Sequence, residues 1–295
     1  MMADAPTPTP HGDNLLTRLR PLYGEAALAS LAGARVLVIG LGGVGSNCVE
    51  ALARGGVGEL YLVDRDVVEP SNLNRQALAF TNTIGRRKVD VMREMVLHIN
   101  PSCHVETRQQ LVMRDNLAEL LAWAGAEVSE DAGAGNASGT DETSRVSGAA
   151  APRVTGPGRI DYVVDAIDTL TQKLALAELS WNARIPLISS MGGANKIHPE
   201  LLEFADISKT HECRLSRTMR KECARRRIKH LEVLYSPEKP VQPAAVAGSS
   251  HGGLSNLGTA SFMPPVMGQM IAGRVIRALV GLEPWRWAAA SGQGA

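Results

Sequence analysis

"RVLVIGLGGVGSNCVEALARGGVGELYLVDRDVVEPSNLNRQ", residues Arg35–Gln76, carries the turn that decides the fold. An apolar strand ends at Gly40. Gly40, Gly42 and Gly45 then follow in G-x-G-x-x-G spacing, with Gly43 inside the same turn and a helical stretch behind it. Strand, glycine turn and helix in that order make a phosphate cradle. Gly40 permits the tight turn, Gly42 lets the backbone approach a phosphate, and Gly45 lets helix and strand pack closely. The first N–H groups of the helix then meet the anion with the positive end of the helix dipole. Asp64 closes the next strand, "ELYLVD", where a carboxylate reaches ribose hydroxyls.

An oxidoreductase using a nicotinamide dinucleotide needs little more than this. The stretch continues instead as "DRDVVEPSNLNRQ", adding Asp66, Asn72, Arg75 and Gln76, and Lys88 follows near the start of another helix. Two fixed cations and several amides at the mouth of a phosphate turn suit a triphosphate, whose departing pyrophosphate needs its charge compensated. Taken singly, Arg75 and Lys88 also read as solvated surface charges. "VVDAIDT" adds Asp165 and Asp168 at the carboxyl end of a further strand, where open α/β sheets bind ligands. A carboxylate there can hold Mg²⁺ against phosphate oxygens. Asp168 can equally cap the helix that follows. Asp165 lies nearer the strand interior and is expected to be held by hydrogen bonds.

Outward from these motifs, strands and helices alternate through "HVETRQQ", "RDNLAELLAWA", "IDYVVDAID" and "IPLISS". The expected fold is α/β: a Rossmann-like, doubly wound mixed sheet with an antiparallel C-terminal extension. The expected organisation is a flexible tail over 1–14 and one adenylating domain over 15–295. Residues 125–159 are rich in Gly, Ala, Ser and Thr and have no apolar period, so they read as a disordered insertion. A second flexible stretch is expected near 243–256. From about residue 192 the rhythm shifts to short strands and a basic helix, and "SFMPPVMGQMIAGRVIRALVG" gives a closing helix that packs on the sheet or on a second subunit.

The 295 residues carry a net charge of +1, so attraction to a polyanion must come from local clustering. Such a cluster exists. Residues 214–229 hold Arg214, Arg217, Arg220, Lys221, Arg225, Arg226, Arg227 and Lys229 against one acid, Glu222. Arg214, Arg217, Lys221 and Arg225 recur at helical spacing along one face, which suits a phosphate backbone. A solvated helix surface is the plainer alternative. The four cysteines form no C-x-x-C pair that would hold zinc, and free thiols suit a reducing cytosol. "MMADAPTPTP" lacks the basic head and apolar run of a secretory signal, and no stretch is apolar enough to span a membrane. The expectation is a cytoplasmic protein.

Taken together and in order, "GLGGVGSNCVEAL", "LVDRDVVEPSNLNRQ", "IGRRKV" and "VVDAIDT" resemble the ubiquitin-activating-enzyme-like adenylating superfamily. The resemblance implies an enzyme that binds ATP and Mg²⁺ and attaches AMP to a carboxylate, releasing pyrophosphate. It places Gly42 under the phosphates and Asp64 on the ribose, Asn72, Arg75 and Lys88 on the phosphates, and Asp168 at the metal and the adenylation step. It also implies a homodimer in which an arginine near the amino terminus reaches the partner's site, with Arg18 the candidate and Arg20 close behind. "LLEFADISKT", "CRLSRTMRKECARRRIKHLEVLYSPEKPV" and "GTASFMPPVMGQMIAGRVIRALVG" resemble the branch that dehydrates threonylcarbamoyladenosine at position 37 of tRNA, beside the anticodon. In that branch the substrate's own carbamoyl group closes the ring, so no enzyme nucleophile is needed. The implied partners are the anticodon stem-loop, a second subunit and a cysteine desulfurase or sulfur acceptor. The rival is an activator of a sulfur-carrier or ubiquitin-like protein, in which Cys213 or Cys223 could take the acyl group.

Overall fold

The computed structural model describes residues 13–126, 159–242 and 257–283. Helix α1 (Arg20–Ala32) leads into β1 (Arg35–Ile39), α2 (Gly43–Arg54) and β2 (Glu59–Val63). A long polar connection with one short 3₁₀ turn (Pro70–Asn72) then reaches α3 (Lys88–Ile99), β3 (His104–Arg108) and α4 (Leu117–Trp123). After the insertion come β4 (Tyr162–Asp165), α5 (Leu170–Asn182), β5 (Leu187–Ser190), β6 (Glu203–Asp206), α6 (Arg214–Arg225), β7 (Glu232–Tyr235) and α7 (Met263–Leu279).

The seven strands form one sheet in the order β3-β2-β1-β4-β5-β7-β6. β1 lies between β2 and β4, with Val36 opposite both Leu60 and Tyr162 and Ile39 opposite both Val63 and Asp165. Both its faces are covered, which is why it reads as an unbroken apolar run. Val36 and Val38 enter the core under α1, α2, α3 and α7, while Leu37 and Ile39 enter the core under α4, α5 and α6. Each such side chain contributes about 1.5–3 kcal/mol by leaving water. The chain turns from one side of β1 to the other between β3 and β4, so the carboxyl ends of β1 and β4 border the crevice where open sheets bind ligands.

The extension differs from expectation in one respect. β7 continues the sheet in parallel beside β5, and among the described residues of the extension the antiparallel pairing is that of β6 with β7. α6, the basic helix read from the sequence, supplies the crossover that parallel neighbours require, but which strand β7 would join is set by tertiary packing and not by the local rhythm. Pro21 lies in the first turn of α1, where its missing N–H costs nothing, and Gly24 (φ 76°) kinks the helix. α7 packs along α2: a Cβ on Gly268 would lie 2.4 Å from the Val44 carbonyl oxygen, so only glycine lets the two backbones approach this closely. A buried ion pair pins the far side of α7, with Arg274 Nε 2.7 Å from Glu232 Oε1 of β7.

Most of the tail, the insertion and the second flexible stretch lie outside the described residues. The insertion's two ends are adjacent, since Ile160 donates its N–H to the Gly125 carbonyl at 3.4 Å. Among the described residues no helix is long and apolar enough to cross a membrane.

Candidate active site

The glycine turn is built as its spacing requires. Gly40 has φ 92°, and a Cβ there would stand 2.7 Å from the Ala166 carbonyl oxygen; on Gly45 a Cβ would stand 1.7 Å from the Gly40 carbonyl oxygen. Both positions therefore demand glycine for packing. Gly42 differs: nothing lies within 4 Å of where its Cβ would be. Gly42 is the N-cap of α2, and no side chain caps that helix. The N-terminus of α2 thus presents donors and a positive dipole end to open space. Gly43 has a packing reason of its own, because a Cβ there would meet Pro264 at 2.7 Å and Arg75 Cγ at 3.1 Å.

The connection after β2 folds back over this helix end. Asp64 accepts from Leu41 N–H at 2.6 Å through Oδ2 and from Asp66 N–H at 2.8 Å through Oδ1. Each oxygen keeps a lone pair free for further donors. Ser46 Oγ accepts from Ala77 N–H at 3.0 Å, and Asn47 donates to the Arg75 carbonyl at 3.0 Å, which fixes the Asn72–Ala77 segment on α2. Asn72 is buried, and its Oδ1 accepts from Glu69 N–H at 3.1 Å, closing the 3₁₀ turn. Arg75 bonds the Ser71 carbonyl and Asn74 Oδ1, both at 2.8 Å, and stays partly exposed. Gln76 is buried, and its Oε1 accepts no hydrogen bond, an uncommon state for a buried acceptor. Lys88 is also buried, with Nζ 3.2 Å from Asp66 Oδ2. The solvated-charge reading therefore fails for Lys88.

Asp168 follows β4 and is exposed, bonded only by the neighbouring Thr169 hydroxyl at 3.1 Å among the described residues. Thr169 takes the N-cap position of α5, and no side chain caps that helix. The capping alternative for Asp168 is excluded. Asp165 is fully buried and held by hydrogen bonds, as expected. The residue missed by sequence reasoning is its partner, Lys173, whose Nζ lies 3.0 Å away. Its signal was visible: Lys173, Leu176, Ala177 and Ser180 share one buried helical stripe, and a lysine in such a stripe needs a buried partner.

Further out, Arg20 pairs with Glu25, whereas Arg18 is exposed and has no partner among the described residues. On α6, Arg214, Arg217, Lys221 and Arg225 are exposed along one face. Arg225 also meets Glu222 at 2.9 Å, and Arg226 meets both Glu222 and Glu178. Arg220 is turned inward and donates to the Thr210 carbonyl and hydroxyl, so its guanidinium is committed to the fold more than its neighbours'. All four cysteines are free and buried. Burial pushes the Cys223 thiol up to about 11 and Cys103 up to about 12. Cys213 caps α6 through Sγ, which accepts from Ser216 N–H at 3.5 Å.

Comparison with known proteins agrees with this geometry. The tRNA threonylcarbamoyladenosine dehydratase of Bacillus subtilis is 32% identical over 270 residues, covering 87% of this chain and 91% of that protein. The E. coli tRNA N6-threonylcarbamoyladenosine dehydratase, TcdA, crystallised in complex with ATP, superposes with a TM-score of 0.71 at 25% identity, covering 97% of this chain and all of that one. The adenylyltransferase and sulfurtransferase UBA4 of Eremothecium gossypii is 43% identical, but over 98 residues that cover 33% of this chain and 22% of that protein. The sequence pattern of the ThiF family matches residues 15–289, and this chain belongs to that family.

Proposed function

We propose that this protein is an ATP-dependent tRNA threonylcarbamoyladenosine dehydratase, acting at position 37. One observation carries the choice of substrate. Similarity to the B. subtilis dehydratase runs through 87% of the chain, whereas similarity to the sulfur-carrier activator stops at a third of it.

In this reading ATP lies along the glycine turn with its phosphates over Gly42, where the structure leaves space and where α2 offers its amino end. The free lone pairs of Asp64 accept the ribose hydroxyls. Arg75 and Lys88 neutralise the β- and γ-phosphates, with Asn72 and Gln76 as polar neighbours, and the open acceptor of Gln76 supports a polar ligand beside it. The substrate carboxylate attacks the α-phosphorus and pyrophosphate leaves. The carbamoyl group then attacks the acyl carbon, AMP leaves with one former carboxylate oxygen, and the base is cyclic. The sum is loss of one water from the base as ATP becomes AMP and pyrophosphate.

Mg²⁺ fits the donor set. The described residues contain no cluster of three or more metal-ligating side chains, so the protein would share the ion with phosphate oxygens, and exposed Asp168 is the carboxylate available for it. Such an ion would supply charge neutralisation on the phosphates. We assign Arg18 to the partner's site in a homodimer, because Arg20 is spent on Glu25. The exposed arginines and Lys221 of α6 carry the tRNA backbone, and the buried free thiols suit the cytoplasm.

Incubating the protein with ATP, Mg²⁺ and threonylcarbamoyl-modified tRNA tests the substrate. Nucleoside mass analysis should show the modified adenosine lighter by one water. An unchanged nucleoside, with pyrophosphate exchange dependent on a small carrier protein instead, would transfer the chain to the rival class.

A further inference from the structure

Beneath the turn that carries Asp168 lies a sealed polar triad. Lys173 Nζ is 3.0 Å from Asp165 Oδ2 and 3.1 Å from Ser189 Oγ, and Ser189 Oγ donates to the same Asp165 oxygen at 2.6 Å. All three residues are fully buried. The other carboxylate oxygen, Asp165 Oδ1, accepts from Ile167 N–H at 3.1 Å. A buried ion pair commonly stabilises a fold no better than apolar side chains of the same size would. Packing alone therefore gives this triad little reason to exist.

Its geometry gives another. Residues 166–169 join β4 to α5. Ala166 donates its N–H to the Ile39 carbonyl at 2.9 Å, and its own carbonyl forms the floor against which Gly40 must be glycine. Ile167 is tied to Asp165 by the bond just described, and Asp168 comes next. The ammonium and the serine hydroxyl hold one oxygen of Asp165, which fixes the rotation of the carboxylate and directs the other oxygen at the Ile167 N–H. Apolar replacements could fill the same volume without fixing that N–H. We infer that Lys173, acting through Asp165, is a positioning residue that sets where Asp168 stands relative to the glycine turn. This rests on the role proposed for Asp168, holding the metal ion beside the phosphates.

The test compares wild type with Lys173→Met and Ser189→Ala. Three quantities are read: kcat on modified tRNA, ATP dissociation constant, and half-saturation of the protein–ATP complex by Mn²⁺ followed by electron paramagnetic resonance. Positioning predicts that Lys173→Met lowers kcat at least tenfold and raises the Mn²⁺ half-saturation at least fivefold, while ATP affinity stays within threefold, because the glycine turn is untouched. Ser189→Ala removes one of the three partners and should show the same split at about threefold in kcat. Where Lys173→Met does not fold, Ser189→Ala decides. If kcat and ATP-binding sites fall together in proportion to folded protein, or if the folded variants match wild type, the inference is overturned. The Mn²⁺ and ATP readings need no turnover. A wild type that leaves modified tRNA unchanged while the variants still shift Mn²⁺ would remove the substrate reading and keep the positioning role.

Discussion

Gly42 and Gly45 are three residues apart in one motif, yet the structure gives them opposite reasons to be glycine. A Cβ on Gly45 would sit 1.7 Å from a backbone oxygen, while one on Gly42 would touch nothing. Gly45→Ala should therefore destabilise the protein by about 3 kcal/mol, the upper end of overpacking costs. Gly42→Ala should cost about 1 kcal/mol or less, an N-cap effect, yet weaken ATP binding at least tenfold. Thermal melts and ATP titrations separate the two, and equal losses of stability would deny Gly42 its ligand role. The cysteines set a second residue-scale expectation. With Cys223 at about 11, roughly one molecule in ten thousand carries that thiolate at pH 7. Cys213→Ser and Cys223→Ser should keep at least half of wild-type turnover, and loss of turnover with folding intact would revive a thioester. The sign for stability follows from burial raising the pKa: the folded chain holds the thiol proton more tightly. The contribution of Cys223 is thus complete below pH 9, its ordinary value, and lost as pH rises to about 11. Melting temperatures of wild type and Cys223→Ala should diverge least above that window.

At the scale of elements, α6 divides its charges by orientation. Replacing Arg214, Arg217, Lys221 and Arg225 with alanine should weaken tRNA binding and reduce the salt dependence of log K by about three to four, near 0.9 per lost phosphate contact, with little change in melting. Arg220→Ala should act in reverse, losing about 1–2 kcal/mol of stability as Thr210 gives up a charged donor. Unchanged tRNA affinity in the fourfold variant would take α6 out of the binding surface. The contrast also marks how far the sequence was legible. Helical spacing identified the basic face, but Arg220 could not be told from its neighbours, because its partner Thr210, which ends the 3₁₀ turn at Ile207–Lys209, is brought to it by tertiary packing. The strands and the glycine turn were readable because apolar runs and glycines report local constraints. Lys173 and Arg274 were not read, although each interrupts an otherwise buried helical stripe, because their partners Asp165 and Glu232 come from other elements. The parallel placement of β7 was hidden for the same reason.

For the whole molecule, the proposed homodimer makes a sharp prediction. Asp168→Ala should abolish AMP formation while leaving tRNA binding and folding intact, since the side chain is exposed and caps nothing. Arg18→Ala should also be inactive if the arginine serves the partner's site. Mixing the two variants should then restore activity to about a quarter of wild type: half of the dimers are mixed, and each has one complete site. No recovery on mixing, with subunit exchange verified, would place Arg18 outside the site.

The most direct test of the adenylation follows an oxygen atom. Modified tRNA carrying ¹⁸O in the threonyl carboxylate is incubated with the protein, ATP and Mg²⁺, and the released AMP is weighed. One ¹⁸O per AMP is the predicted result, since the attacking carboxylate oxygen leaves with the α-phosphate. AMP without label, or label found in orthophosphate with ADP as the product, would contradict the account.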